Sequence, residues 1–260
     1  MQTHMFWAYG PFSQLEQICA SSFIQQGYDL TIWTYGGLDN APGQCVLRDA
    51  RDLIPEDRIF TYKNGSYSAF ANLFRYVLLN RWGGLYVDTD VIALKGPSAL
   101  PDESFLVEER QPFRGAKAIR RLRQALKHTQ KTNINPCVIH QKSPQAGNIM
   151  DMAEAFASRY PTELLEWGVT GPKLVNTLHD QYPQLSFRAM PPSFANSVNW
   201  WECPAPLLKA GGRLDEDAVF LHCYNEMWRR AGIDKNAPFP NDSIMASLAL
   251  RVLPARESTC

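Results

Sequence analysis

Short apolar runs and one amphipathic stretch alternate over the first forty residues. HMFWAYG (4–10) and YDLTIWTYGG (28–37) each predict a short buried strand that ends at a turn signal. Between them, SQLEQICASSFIQQG (13–27) repeats apolar residues every three or four positions, which predicts a helix closed by its final glycine. The order strand, helix, strand predicts parallel strands joined by a crossover helix, as in an α/β fold.

The most regular pattern follows a predicted loop at residues 38–58. In SYSAFANLFRYVLLNRWGG (66–84) the apolar positions again have helical spacing, and Gly83-Gly84 is predicted to end the helix. The run LYV (85–87) then predicts a buried strand.

The second half of the chain predicts further strands and helices before an irregular tail. Strands are predicted at 105–109 and 135–141, and helices at 149–160 and 171–182. The segment 114–131 predicts a helix with several Arg and Lys residues on one face. That face is either solvated or a contact for an anionic acceptor or a peripheral membrane surface.

Composition narrows the classes of partner and compartment. Lys+Arg and Asp+Glu number 26 each, so the formal net charge is zero and nucleic acid is an unlikely partner. The six cysteines are scattered without a C-x-x-C pair, and we expect reduced thiols. The chain shows no signal-like start and no apolar run of about 20 residues, so we expect a soluble, cytoplasmic protein.

Two carboxylates, Asp88 and Asp90, close the LYV run. Alternation along a strand would place both on one face at the carboxyl end, where parallel sheets bind ligands. Paired carboxylates suit Mg²⁺ or Mn²⁺ and a diphosphate, although two acids can also cap turns or pair with Arg. Asn72 and Arg75 share a face of the preceding helix, so Arg75 either binds an anion there or is buried and pairs with one of these acids.

The run AFANLFRYVLLNRWGGLYVDTDV (69–91) resembles the DXD-containing sugar transferases of glycosyltransferase family 32, which include capsular-polysaccharide and mannosyltransferase-like enzymes. It is more distantly similar to the glucosylating domains of large clostridial toxins and to α-1,4-galactosyltransferases. Residues 4–35, TGPKLV (170–175) and VFLHCYNEMW (219–228) resemble further segments of the family. The resemblance covers most of residues 4–230.

This resemblance implies an α/β fold of the GT-A type, with a Rossmann-like, mostly parallel sheet flanked by helices and an elaborated C-terminal acceptor side. It implies a single domain, with a nucleotide-sugar half (1–110) and an acceptor half (111–260). The implied enzyme is a retaining hexosyltransferase of polysaccharide biosynthesis that uses Mn²⁺ or Mg²⁺. Its donor would be a UDP-sugar, or else a GDP-sugar, and its acceptor a glycan, a lipid-linked glycan or a protein.

The resemblance also implies roles for individual residues. Asp90 would bind the metal, while Asp88 would contact the ribose or sugar and the metal's waters. Arg75 would face the donor sugar or diphosphate, and Trp7 would flank the base. His222 would complete the metal site.

Three more residues belong to the implied donor site. Asn225 and Trp228 follow His222 closely and would lie near the donor. Asn72 stands where the family usually has Asp, so it keeps a hydrogen-bonding carbonyl but lacks the charge. This change bears on the identity of the donor sugar.

Other residues leave alternatives open. Glu108, Glu109 and Glu226 are candidates for a carboxylate nucleophile, but none is singled out. We favour attack by the acceptor on the same face of the sugar from which the leaving group departs. Trp200-Trp201 either stacks on an acceptor sugar or closes the core.

Two other functions compete with a sugar transferase. A haloacid-dehalogenase-type phosphatase also ends an apolar strand in D-x-D, but Ile92 stands where that family expects Thr or Val. A non-catalytic nucleotide-sugar-binding module is favoured only by Asn72.

Overall fold

The structure of the chain is a computed structural model that describes residues 1–112, 131–144 and 146–253. The strands of this part are β1 (Gln2–Phe6), β2 (Asp29–Thr34), β3 (Val46–Asp49), β4 (Gly84–Val87), β5 (Val91–Ala93), β6 (Phe105–Arg110), β7 (Thr132–Gln141), β8 (Arg188–Met190) and β9 (Phe220–His222). The α-helices are α1 (Gln14–Gln25), α2 (Ser68–Trp82), α3 (Ile149–Ala157), α4 (Pro172–Gln181), α5 (Pro192–Ala195), α6 (Ala205–Leu208), α7 (Asn225–Arg230) and α8 (Ile244–Val252).

In the described ranges, seven strands form one sheet in the order β3-β2-β1-β4-β7-β6-β8. β7 runs antiparallel to both of its neighbours, and the other six strands run in one direction. This arrangement confirms the predicted mostly parallel α/β sheet. The remaining two strands, β5 and β9, form a separate antiparallel pair.

Alternating side chains bury both faces of the sheet. Phe6 and Tyr86 pack toward α2, α3 and α4, whereas Met5 and Val87 pack toward α1 and the β5–β9 pair. A third cluster packs the outer face of α1 against α6, α7 and α8. The C-terminal elements are thereby held beside the carboxyl ends of the central strands.

Gly83 and Gly84 explain how α2 leads directly into a central strand. Their φ angles are +66° and +84°, which side chains with a Cβ rarely adopt. A Cβ on Gly84 would also lie 2.9 Å from the carbonyl oxygen of Gln2 on β1. The two glycines therefore end the helix and let β4 enter beside β1, as the sequence predicts.

Three sequence predictions need comment. The predicted loop at 38–58 contains β3, whose four residues are all exposed and so carry no alternation of burial. The predicted strand alternation of Asp88 and Asp90 is wrong, because a turn separates β4 from β5. The predicted basic helix at 114–131, with its proposed membrane or acceptor contact, lies outside the described residues except for Lys131.

Two sequence expectations concern cysteines and membrane spans. The five cysteines within the described residues are free thiols. Over the same ranges, each helix is too short or too polar to cross a membrane.

Candidate metal centre and donor site

The two carboxylates of the DTD segment lie in a turn at the carboxyl end of β4. The Asp88 N–H donates to the carbonyl oxygen of Cys137 at 2.8 Å, which continues the pairing of β4 with β7. The Val91 N–H then donates to the Asp88 carbonyl oxygen at 3.1 Å and closes the turn. Asp88 and Asp90 thus converge because the chain reverses, and not because of strand alternation.

The pairing of β5 with β9 adds a third ligand candidate. Val91 lies opposite His222 in this register, so the imidazole reaches the turn. One ligand atom from each of Asp88, Asp90 and His222 lies within 4.8 Å of the other two. Two carboxylates with one imidazole fit a divalent ion. The predicted metal ligands are therefore brought together.

Asp90 is the more rigidly held carboxylate. Its Oδ2 accepts the backbone N–H of Asn225 at 2.7 Å, and its Oδ1 lies 3.4 Å from His222 Nε2. Burial alone would raise the pKa of Asp90, but His222 and the Asn225 N–H hold that pKa below its ordinary value. Asp90 is thus kept ionised, as a metal ligand must be.

His222 is buried, and its ring lies against that of Tyr224, with a centroid separation of 3.8 Å and an angle of 33° between the ring planes. Burial alone would lower the pKa of the imidazole, yet the Cys137 sulfur and the Asp90 carboxylate raise it well above its ordinary value. In the absence of metal, a proton therefore competes for the nitrogen that would bind the ion.

Arg75 is buried and pairs with Asp88, as one of the two alternatives from the sequence predicts. Its Nη2 lies 3.0 Å from Asp88 Oδ1, and only 5% of its side chain is exposed. Nη1 donates to the Pro136 carbonyl and Nε to the Ala71 carbonyl, while the guanidinium lies 4.9 Å from the centre of the Tyr86 ring. Arg75 therefore positions Asp88 in this structure, and its predicted contact with the donor stays a prediction.

Asp88 is the more accessible carboxylate, with 28% of its side chain exposed. Burial raises its pKa to about 6, with the Arg75 charge opposing that rise and the Asp90 charge adding to it. Below about pH 6, an incoming cation must therefore displace a proton from Asp88.

The sequence motifs at Asn72 and Gly171 meet beside this ion pair. Asn72 is buried, and a Cβ on Gly171 would lie 2.5 Å from its Nδ2. The hydroxyl of Tyr76, one residue after Arg75, donates to the Thr170 carbonyl at 3.0 Å. The glycine of the T-G-P segment is therefore required by close approach to Asn72, which fills the position of the family's Asp.

Three other predicted donor contacts occupy different environments. Trp7 follows the carboxyl end of β1, half-buried, with its Nε1 donating to the Gly10 carbonyl at 2.9 Å. Asn225 acts through its backbone N–H, since its side chain donates to Glu16. Trp228 is fully buried and donates to the Cys223 carbonyl, and its predicted place near the donor stays a prediction.

Sequence reasoning missed Glu16, which lies on α1 far from the motif in the chain. Its side chain is fully buried, and Oε1 accepts from both Asn225 Nδ2 at 2.8 Å and Lys235 Nζ at 2.5 Å. Glu16 thereby fixes the residue whose N–H holds Asp90. Its place in an S-x-x-E capping box was the available signal, but that pattern indicates a helix start and not a site.

The three candidate glutamate nucleophiles have different surroundings. Glu226 is paired with Arg229 and Arg230, and Glu108 accepts from the Thr132 hydroxyl. Burial raises the pKa of Glu109, while a hydrogen bond from Asn135, the His222 charge and the Tyr224 hydroxyl oppose that rise. Glu109 therefore interacts electrostatically with His222.

The surroundings of Trp200 and Trp201 are compatible with both proposed roles, stacking on an acceptor sugar and closing the core. The two rings meet edge to face at 5.6 Å, and both side chains are half-buried. Trp200 packs against the C-terminal core cluster, which supports the core-closing alternative for that residue.

Affinity for Mn²⁺ is expected to fall about tenfold per pH unit as the pH drops below about 6, because the Asp88 proton must leave before a cation binds. His222, whose pKa is also raised, steepens the dependence in the same direction. Calorimetric titration with Mn²⁺ between about pH 5 and pH 7 measures this slope. An affinity that is flat across this range would contradict the assignment of Asp88 and His222 as ligands.

Comparisons with known proteins agree with this site and fold. Residues 44–107, which include Asn72, Arg75 and both aspartates, match the family model "Glycosyltransferase sugar-binding region containing DXD motif". This match confirms the resemblance for the central run. No curated protein matches the chain in sequence.

Solved structures show the same fold at low identity. Mouse xyloside xylosyltransferase 1 in its apo form has a TM-score of 0.52 and 11% identity, over 87% of this chain and 98% of that one. Galactosyltransferase LgtC in complex with donor and acceptor sugar analogs has a TM-score of 0.50 and 12% identity, over 99% and 98%. The chain has a GT-A type fold, as predicted.

Proposed function

We propose that this chain, whose residues 44–107 match the DXD-containing sugar-binding region of glycosyltransferases, is a metal-dependent, retaining hexosyltransferase of the GT-A type. Its donor would be a nucleotide-sugar, with UDP favoured over GDP, and its acceptor a hydroxyl of a glycan, a lipid-linked glycan or a protein. The observation that carries this proposal is the convergence of Asp88, Asp90 and His222 at the carboxyl end of β4.

The residues present fit a divalent ion, with Asp88, Asp90 and His222 as its protein ligands. When bound, Mn²⁺ or Mg²⁺ would act as a Lewis acid that stabilises the negative charge on the departing diphosphate. The protein supports this arrangement with three fixed groups. Arg75 holds Asp88, the Asn225 N–H holds Asp90, and Glu16 holds the Asn225 side chain.

Retention is proposed to occur by attack from the leaving-group face. The bond between the anomeric carbon and the diphosphate oxygen breaks, the acceptor hydroxyl oxygen bonds to that carbon from the same face, and its proton passes to the departing phosphate. In this proposal the triad would hold the ion beside the departing diphosphate, so the charge that develops would be compensated there. This route requires no carboxylate nucleophile.

Asn72 bears on the choice of donor sugar in this proposal. It is buried on the same helix as Arg75, three residues earlier, and its amide lies against Gly171. A neutral amide offers both a donor and an acceptor to a sugar hydroxyl, where a carboxylate offers only acceptors. We therefore propose that Asn72 selects a hexose different from the one that an Asp at this position would select.

The two competing functions have unequal support. The haloacid-dehalogenase alternative loses its basis, because the fold is of the GT-A type. A non-catalytic nucleotide-sugar module shares this fold, so hydrolysis of the donor is the measurement that separates it from a transferase.

A panel of UDP- and GDP-sugars with Mn²⁺, Mg²⁺ or EDTA tests the proposal on the wild-type chain. One UDP-hexose at about 100 times its Kd is expected to raise Tm by roughly 5–10 °C with Mn²⁺, and EDTA is expected to remove that rise. The same donor should be hydrolysed slowly, with the anomeric configuration of the product retained, as followed by NMR. If no nucleotide-sugar stabilises the protein, the proposal fails; stabilisation without hydrolysis would favour the binding module.

A further inference from the structure

Asn196 contacts Nδ1 of His222, the ring nitrogen opposite the one that faces Asp90. It is distant in the chain from the DTD segment. It follows α5, with its N–H donating to the Pro192 carbonyl at 2.8 Å, and only 1% of the residue is exposed. Its sequence surroundings, SFANSVNWWECPAP, predict only irregular structure. A fully buried amide in such a segment needs partners for both its oxygen and its nitrogen.

The nitrogen of this amide fixes the orientation of the side chain. Asn196 Nδ2 donates to the carbonyl oxygen of Glu108 on β6 at 2.9 Å. A carbonyl can only accept, so the amide cannot be reversed without placing two oxygens together. Asn196 Oδ1 is therefore committed to the opposite side, toward His222.

Asn196 Oδ1 accepts hydrogen bonds from three donors. His222 Nδ1 lies 3.0 Å from Asn196 Oδ1, the Tyr224 hydroxyl 3.1 Å and the Cys137 thiol 3.7 Å. An amide oxygen only accepts, so the His222 proton in this contact must reside on Nδ1. In a neutral imidazole this places the lone pair on Nε2.

Nε2 is the atom that faces the carboxylates. It lies 3.4 Å from Asp90 Oδ1, while the ring face is held against Tyr224. A metal-binding histidine commonly donates its other ring N–H to a fixed acceptor, which sets both the tautomer and the ring orientation. The contacts of Asn196 meet this requirement with a neutral amide.

We infer that Asn196 is a positioning residue of the metal centre, which holds His222 with Nδ1 protonated and Nε2 directed at the ion. The inference rests on the proposed metal-dependent function. It assigns a role to a residue outside the DXD region, and it connects β6 to the triad through the Glu108 carbonyl. Asn196→Ala should weaken binding of Mn²⁺ by about 10–100-fold.

The test is calorimetric titration of the full chain with Mn²⁺ alone, together with thermal unfolding with and without Mn²⁺. Asn196→Asp keeps an oxygen acceptor for Nδ1–H but loses the donor to Glu108, so it should be less stable and yet bind Mn²⁺ nearly as the wild type does. Asn176→Ala is the control, since the half-buried Asn176 side chain makes three hydrogen bonds, to Ile134 and Pro172, away from the triad. It should lose stability without losing Mn²⁺ affinity.

The outcomes separate the inference from the proposed function. If Asn196→Ala binds Mn²⁺ like the wild type, or if Asn176→Ala weakens binding as much, the positioning role is overturned. If Asp90→Ala also binds Mn²⁺ like the wild type, the proposed metal site itself fails.

A second measurement stands even if Asn196→Ala does not fold. Nitrogen-15 NMR of the wild-type protein loaded with diamagnetic Cd²⁺ should show His222 protonated at Nδ1 and metal-bound at Nε2. The reverse pattern would overturn the inference.

Discussion

Asp90→Asn is expected to reduce metal-dependent turnover of the nucleotide-sugar by about 10³-fold or more, because it removes a charged ligand from the site that stabilises the leaving group. The two oxygens of Asp90 face the Asn225 N–H and His222 Nε2. An asparagine would offer its NH₂ group to one of these partners, so the site loses a charge and gains a mismatched donor. The measurement is kcat/KM for donor hydrolysis at saturating Mn²⁺.

Asp102→Asn is the matched control for the change from carboxylate to amide. Asp102 is exposed over 96% of its side chain and pairs with Lys142 at 2.7 Å. Its substitution should leave both Tm and hydrolysis near the wild-type values, because exposed ion pairs contribute little. If Asp90→Asn retains more than about a tenth of wild-type turnover, the charge of Asp90 is not part of the catalytic site.

Arg75→Leu is expected to destabilise the protein by about 3 kcal/mol and so lower Tm by roughly 6–12 °C, because it leaves Asp88 without its buried partner. Arg75 also donates to the Pro136 and Ala71 carbonyls, and these acceptors lose their donor as well. Turnover should fall with stability, since Asp88 is no longer held at 3.0 Å from a fixed guanidinium. Arg75→Lys should rescue little, because an ammonium cannot bridge three separated acceptors.

A double-mutant cycle separates the ion pair from the packing of Arg75. Asp88→Asn in the Arg75→Leu background removes the uncompensated charge, so the double variant should be more stable than the sum of the two single losses predicts. Arg188→Leu is the control, since Arg188 forms an exposed pair with Glu103 at 2.6 Å and should change stability by less than about 1 kcal/mol. Strictly additive losses at Arg75 and Asp88 would contradict the coupling that the structure shows.

Local patterning was sufficient for much of the fold. The helical spacing of α2, its stop at Gly83-Gly84 and the buried strand that follows were all predictable, because periodicity and glycine conformation are properties of a few neighbouring residues. The same logic missed β3, whose residues are all exposed, and it applied strand alternation to Asp88 and Asp90, which lie in a turn. A turn closed by one backbone hydrogen bond between Val91 and Asp88 leaves no periodic signal.

The residue types of the site were also readable in the chain. Two carboxylates after a buried strand predicted a divalent metal. The resemblance of residues 69–91 assigned Arg75 to the donor, and that of residues 219–228 added His222 to the metal site. The local chemistry of the motif is contained in the motif, since carboxylates bind hard cations wherever they converge.

Long-range pairing decided the rest. The register of β5 against β9 brings His222 to Asp90, and α1 supplies Glu16 to hold Asn225 from more than two hundred residues away. The pairing of a buried Arg75 with Asp88 depends on the packing around both residues, which one sequence does not reveal. Asn196 carries no motif, and its relation to His222 exists only because α5 packs beside β6 and β9. The residue types determine which chemistry is available, whereas the packing of distant elements determines which groups come into contact.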